Sequence, residues 1–361
     1  MTISLCMIVK NEEKNLARCL DSIIDAVDEI IIVDTGSLDA TKSIAQKYTS
    51  NIYDFKWIDD FSAARNFAYS KATMDYQMWL DADDIVPDES LKKIIRLKRS
   101  LDEDIDIVTM RYTTSFDEDG VPILTFARER LTRREKNYIW IDPVHECIPP
   151  AGEILHSDIE IYHKKQNQQD KNYRNLEIYL KLETKDHELT PRQQYYFAKE
   201  LKAHNFFRQS AVYFEKFLSS GHGGVEESID SCYNLSICYE KLGCKEKILP
   251  ILFKSFEFAP PRAEICCRIG YYYKHRDNYK DAYTWFHIAT TLPERETTGF
   301  ALKDYQEYIP NLECCVCCCY LEKYDKAQVY NEIASLYKPK SKAIETNRRY
   351  FENLSKYLRQ S

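Results

Sequence analysis

The chain has 361 residues, 44% of them hydrophobic, and a formal net charge of −7. That length and apolar content suffice for two ordinary cores and exclude global disorder. The acidic balance argues against nonspecific nucleic-acid binding, which needs a basic surface, so no nucleic-acid partner is expected.

The longest early apolar run, Ile3 to Val9, falls far short of the roughly 20 residues of a membrane-spanning helix. No cation precedes it, and Lys10-Asn11-Glu12-Glu13 follows it without a small-residue cleavage site, so it does not read as a signal peptide. A cytoplasmic protein is expected. The 13 cysteines fit that compartment as free, partly buried thiols.

In chain order, Ile3 to Val9 reads as a buried strand, and Leu16, Leu20, Ile23 and Ile24 mark a helical stripe over Glu12 to Ile24. Glu29 to Val33 is a second buried strand, followed by the turn Asp34-Thr35-Gly36-Ser37 and a helix Ala40 to Tyr48 that Asp39 can cap. A short strand is expected near Asn51 to Phe55, a helix over Ser62 to Lys71, and a strand over Tyr76 to Leu80. Strands alternating with helices predict a parallel sheet covered by helices. Ligands bind such sheets at the carboxyl ends of the strands. The polar loops after Val9, Val33 and Leu80 fall at those ends.

From about Lys171 the pattern becomes helical throughout. Gly270, Tyr273, Ala282, Phe286 and Ala289 occupy the small–aromatic–small positions of a tetratricopeptide repeat, and Ser236 lies 34 residues before Gly270. Looser copies run through Ala198, Phe214 and Phe217 and through Ala327, Ala334 and Pro339. Two domains follow, 1–168 and 169–361, the second able to offer a concave surface to peptides. Cys314-Cys315-Val316-Cys317-Cys318-Cys319 has CxxC spacings but no second pair at a finger-like distance. The repeat frame makes these cysteines packing residues.

Three segments carry chemistry. Asp81-Ala82-Asp83 closes an apolar strand, and carboxylates in that pattern suit Mg²⁺ or Mn²⁺. A solvated turn is the alternative. Asp34 at a strand end can accept a hydrogen bond from a nucleobase N–H or merely shape the turn. In Asp59-Asp60-Phe61-Ser62-Ala63-Ala64-Arg65-Asn66, the Arg65 fork can pair with a phosphate or carboxylate, or with Asp60 inside its own loop.

Taken in order, Ile8-Val9-Lys10-Asn11-Glu12, Val33-Asp34-Thr35-Gly36-Ser37, Asp60-Phe61-Ser62-Ala63-Ala64-Arg65-Asn66 and Leu80-Asp81-Ala82-Asp83-Asp84 resemble the family-two inverting glycosyltransferases of the GT-A fold. The helical half resembles a subgroup that carries tetratricopeptide repeats, similar to the peptide S-glycosyltransferases of the sublancin type. The resemblance implies an α/β GT-A catalytic domain, a divalent metal and a UDP-sugar donor, UDP-glucose first among them. It implies that Asp34 contacts the uracil, that Asn11 and Glu12 lie by the nucleotide, and that Arg65 lies near the nucleotide or diphosphate. Asp81 would face the ribose or the metal's water shell, and Asp83 would ligate the metal.

Trp140-Ile141-Asp142-Pro143-Val144-His145-Glu146 resembles the subgroup's Val-His-Glu segment, except that the family has a glycine at or beside Asp142. An inverting transfer needs a carboxylate base. Glu146 is the first candidate and Asp142 the second, while Glu146 paired with His145 or an arginine is the structural alternative. His163 ends the alternating stretch Ile159 to His163, where GT-A enzymes often complete the metal site. The glycine and tyrosine usual after it are replaced by Lys164-Lys165. Arg128, Arg130, Arg133 and Arg134 are expected mostly on a solvated face.

The resemblance thus implies transfer of a sugar to a peptide or protein hydroxyl or thiol, with the repeats presenting the acceptor or pairing two chains as a homodimer. The rival readings are a transferase acting on lipid-linked or surface saccharide, a non-catalytic repeat scaffold, and a nucleotidyltransferase.

Overall fold

In the computed structural model, which describes residues 1–117, 120, 122–164, 173–183, 188–293 and 301–360, the chain divides into two compact units, Met1–Glu188 and Leu189–Ser361. The boundary expected at 168/169 lies outside the described residues, as does Lys165.

The first unit is α/β. Its strands are β1 Ile3–Val9, β2 Glu29–Asp34, β3 Ile52–Asp54, β4 Tyr76–Trp79, β5 Asp84–Ile85, β6 Ile107–Phe116, β7 Pro122–Arg133 and β8 Ile154–His163. They form one sheet in the order β3-β2-β1-β4-β7-β6-β8-β5. The first four are mutually parallel, with Val9 opposite Asp34 and Cys6 opposite Trp79. The loops after β1, β2 and β4 therefore leave the same edge of the sheet side by side. Beyond β4 the sheet turns mixed: β7 runs antiparallel to β4 and β6, and β5 pairs antiparallel with the end of β8.

Both faces of the parallel strands are covered, which explains their unbroken apolar runs. In β1, Ile3, Leu5, Met7 and Val9 enter one core, with Leu16, Leu20, Ile94 and Leu131. Cys6 enters the other, with Ile31, Val33, Trp79 and Trp140. The helices are α1 Leu16–Asp21, α2 Thr41–Ala45, α3 Phe61–Tyr69, α4 Asp88–Ser100 and α5 Arg174–Glu183. The first two are shorter than their apolar stripes suggest. Asn11 takes a left-handed conformation (φ 56°), so the chain turns before α1 begins. Asp39 accepts the Thr41 N–H at 3.0 Å, at the start of α2.

The second unit is helical. α6 Pro191–Ala203 packs on α7 Phe207–Ser220, α8 Val225–Lys241 on α9 Lys245–Lys254, α10 Ala263–Lys274 on α11 Tyr279–Thr291, and α13 Tyr308–Tyr320 on α14 Tyr324–Tyr337; a short α12 Lys303–Gln306 and a terminal α15 Lys342–Gln360 complete it. A Cβ placed on Gly270 would meet the Phe286 ring at 2.8 Å, so α10 and α11 approach as closely as a small–aromatic repeat contact demands. Cys314 and Cys317 are buried with Cys266, Cys267 and Phe286, and Cys315 and Cys318 with Ala327 and Phe351. All are free thiols and serve as core residues. Among the described residues no helix is long and apolar enough to cross a membrane.

Candidate active site

The adjacent loops after β1, β2 and β4 open onto a cleft of about 480 Å³, lined among others by Glu12, Thr35, Trp57, Phe61, Arg65, Asp81, Asp83, Glu146 and His163. That volume falls in the range of pre-formed small-ligand sites.

Arg65 is the hub of one wall. Asp60, on the loop before α3, accepts the Ala63 N–H at 2.9 Å and caps the helix. The pairing of Asp60 with Arg65 that the sequence left open is therefore not made. One turn on, Arg65 reaches inward. Its Nη2 donates to Asp81 Oδ1 at 2.8 Å and its Nε to Glu146 Oε1 at 2.6 Å. The guanidinium carbon lies 4.6 Å from the Trp79 ring centre and 4.9 Å from that of Trp140. Burial alone would lower its pKa, but the Asp81 and Glu146 carboxylates hold it well above the ordinary value. Its Nη1 is buried with no acceptor in the protein. Asp81 responds in kind. Burial pushes its carboxyl up, but the Arg65 and Arg130 guanidiniums outweigh that and hold it below the usual carboxylate range.

The second wall is the pairing of β5 with β8, which sets Asp84 opposite His163. Asp83 Oδ1 and Asp84 Oδ1 stand 3.3 and 3.5 Å from His163 Nδ1. One ligand atom from each of Asp83, Asp84 and His163 lies within 4.8 Å of the others, the one such His/Cys/Asp/Glu cluster among the described residues. Hydrogen bonds to Asp83 and Asp84 push the imidazole up to about 10, against a smaller opposing effect of burial.

Asp84 is committed to the protein. Its Oδ1 accepts from Tyr112 at 2.8 Å, and its Oδ2 accepts from the Asp81 N–H and Arg130 Nη1, both at 3.0 Å. Asp84 and Arg130 are both fully buried, and Arg130 lies between the Trp79 and Tyr112 rings, 3.7 and 4.3 Å from their centres. This corrects the expectation of a solvated arginine face. Alternation along β7 turns Arg128 and Arg130 to one side, where Trp79 receives both.

The remaining expected residues lie around the cleft rather than on its lining. Asn11 ties the first loop to the second: its N–H donates to Ser37 Oγ at 2.9 Å and its Oδ1 accepts the Leu38 N–H at 2.8 Å. Asp34 Oδ1 accepts the Gly36 and Ser37 N–H groups at 2.9 and 2.8 Å, while its Oδ2 is buried without a donor. Asp142 has φ 69° and His145 φ 56°, left-handed geometry that explains a family preference for glycine there and that aspartate adopts more readily than most residues. Sequence reasoning missed Tyr112, Arg130 and the structural role of Asp84. Only the two-residue spacing of arginines in a strand hinted at Arg130.

Residues 4–175 match the family model for glycosyl transferase family 2. The chain is 30% identical over 182 residues to the SPbeta prophage-derived glycosyltransferase SunS of Bacillus subtilis, covering 48% of this chain and 42% of that one. It is 37% identical over 147 residues to a TPR repeat-containing protein of Synechococcus elongatus, covering 40% and 35%. The chain thus spans less than half the length of either relative. A crystal structure of glucosyl-3-phosphoglycerate synthase from Mycobacterium tuberculosis in complex with Mn²⁺ and uridine-diphosphate-glucose aligns at a TM-score of 0.36 and 14% identity, over 53% of this chain and 81% of that one. With strand ends, acidic loop and helical repeats accounted for, residues 4–175 form a glycosyl transferase family 2 domain of the GT-A type, and tetratricopeptide-like helices follow it.

Proposed function

We propose that this protein is an inverting, cytoplasmic transferase that moves a sugar from a UDP-sugar, with Mg²⁺ or Mn²⁺, onto a hydroxyl or thiol of a peptide or protein. One observation carries the reading: Asp83 and His163 converge at 3.3 Å on the wall of a cleft that also holds Arg65, Asp81 and Glu146.

The donor set fits a divalent cation. Carboxylate oxygen and imidazole nitrogen are ligands Mn²⁺ and Mg²⁺ accept, and Asp84 is already engaged by Tyr112, Arg130 and the Asp81 N–H, so Asp83 and His163 would be the first to hold it. When bound there, such an ion neutralises charge on a departing diphosphate. The chain's own residues supply the rest. Arg65 has a buried, unmatched N–H suited to a phosphate oxygen. Asp34 has a buried, unmatched carboxylate oxygen suited to a nucleobase N–H, and Asn11 and Glu12 fix the loop beside it. Glu146 takes the acceptor's proton as the acceptor attacks the anomeric carbon. It lines the cleft and Asp142 does not, which favours Glu146 as the base and leaves Asp142 second.

The resemblance of its motifs to the sublancin-type peptide S-glycosyltransferases supports a peptide or protein acceptor, which the repeats would present unless they serve to pair two copies. The test is a screen of nucleotide sugars with UDP release as readout, repeated on Asp83→Ala. Metal-dependent turnover is expected with a UDP-sugar, UDP-glucose first, and is expected to vanish in the variant; equal turnover by the variant refutes the assignment. Removing Leu189–Ser361 is expected to spare donor hydrolysis and weaken transfer, and undiminished transfer by the shortened chain would exclude an acceptor role for the helices.

A further inference from the structure

The three loops that surround the expected nucleotide carry no aromatic ring. After β1 the chain reads Lys10-Asn11-Glu12-Glu13, after β2 Thr35-Gly36-Ser37-Leu38, and after β4 Leu80-Asp81-Ala82-Asp83. The buried, unmatched oxygen of Asp34 can hold a nucleobase by its edge, but an edge contact leaves the flat faces of the base unserved. The loop after β3 is different. Its Trp57 and the Phe61 that opens α3 both line the cleft. That loop starts beside the Asp34 turn: β3 sets Asp54 opposite Asp34, and the Phe55 N–H donates to the Asp34 carbonyl at 2.8 Å. Trp57 follows two residues later.

We infer that Trp57 is the platform on which the base of the donor nucleotide stacks, while Asp34 reads the edge of that base. The inference rests on the reading of this cleft as a nucleotide-sugar site. The indole is fixed for the task. Its Nε1–H donates to Asp59 Oδ1 at 2.9 Å, and Asp59 Oδ2 accepts from Lys181 Nζ at 2.7 Å. Nε1–H is the one polar group of an indole, so a half-buried Trp57 has ring surface left to offer a ligand. Phe61 backs it, ring centre to ring centre 4.7 Å at 66°. Phe61 is the weaker candidate for the platform. The Arg174 guanidinium already covers its ring at 4.5 Å, and its N–H donates to Pro143 O at 2.9 Å, which ties it to the Glu146 loop rather than to Asp34. Every base has a π-face, so Trp57 supplies affinity and the choice of base falls to Asp34.

The experiment uses the full chain with UDP, UDP-glucose and pyrophosphate as probes, each with Mn²⁺. In calorimetry Trp57→Ala should bind UDP about 5–150-fold more weakly than the unaltered chain. It should lose about the same factor for UDP-glucose, which carries the same base, and keep its pyrophosphate affinity within about threefold. Trp57→Phe, which keeps a ring, should recover most of the UDP affinity. Where Trp57→Ala does not fold, 5-iodo-UDP irradiated on the unaltered chain decides the point: the cross-link should map to Trp57. UDP binding unchanged in Trp57→Ala, a loss confined to UDP-glucose, a loss that pyrophosphate shares, or cross-links to other residues alone overturns the inference and leaves the nucleotide-sugar site standing. An unaltered chain that binds neither UDP nor UDP-glucose overturns both.

Discussion

Arg130 and Asp84 form an ion pair, 3.0 Å from Nη1 to Oδ2, in which neither side chain has any solvent exposure. Removing one partner strands the other charge in the interior, at a cost of about 3–5 kcal/mol. Arg130→Met should therefore destabilise the first unit by about that much in urea unfolding. Asp84→Asn combined with Arg130→Met should recover part of the loss, because no bare charge remains. Recovery matters for the site as well, since Asp84 holds the Asp81 N–H and the Tyr112 hydroxyl. If Arg130→Met unfolds like the unaltered chain, the pair is not buried as described.

The ends of β1, β2 and β4 and the acidic loop after Leu80 were legible because both depend on local pattern. Unbroken apolar runs mark strands covered on both faces, and polar residues after them mark the ligand edge. Arg130 was not legible in the same way. It stands between Glu129 and Leu131 in a strand with charges on both sides, so sequence alone gives no sign which charges are buried. Its burial follows from Trp79 and Tyr112, which lie 51 residues before it and 18 before it in the chain and meet it only through sheet order. The glycine missing at Asp142 stood out as a departure from the family, and the left-handed backbone there supplies the reason it mattered.

Glu146 has two possible duties, base and partner of Arg65, and one variant separates them. Glu146→Gln keeps an oxygen for the Arg65 Nε–H, 2.6 Å away in the unaltered chain, but cannot take a proton. As the base, it should lose about 10²–10⁴-fold in kcat while UDP affinity and melting temperature change little. A variant that keeps its kcat within a few-fold while its melting temperature falls would make the carboxylate structural and pass the base to Asp142.

Asp81 gives the pH dependence. Partial burial raises its carboxyl, the guanidiniums of Arg65 and Arg130 more than reverse that, and the net shift is downward. A carboxyl whose folded pKa lies below its unfolded one contributes stability above the ordinary carboxylate range, and that contribution disappears as the pH falls through the folded value. Asp81→Asn should therefore melt lower than the unaltered chain at pH 7, and the gap should narrow as the pH drops below about 4. A gap constant from pH 7 to 3 would mean that Arg65 does not hold the charge of Asp81.

The repeat contact between Gly270 and Phe286 tests the second unit by itself. Alanine favours a helix interior over glycine by about 1 kcal/mol, so Gly270→Ala on an open surface would stabilise. Here the new Cβ would stand 2.8 Å from a ring that is fully buried and cannot swing aside, and overpacking of that kind costs about 1–3 kcal/mol. The clash should outweigh the propensity gain, leaving Gly270→Ala less stable and Gly270→Val less stable still. Phe286→Leu alone should also destabilise, by opening space, whereas Gly270→Ala with Phe286→Leu should lose less than the two single effects added together, because the methyl fills room the smaller side chain leaves. Thermal unfolding of the four proteins measures that coupling, and strict additivity would mean that α10 and α11 do not touch at this pair.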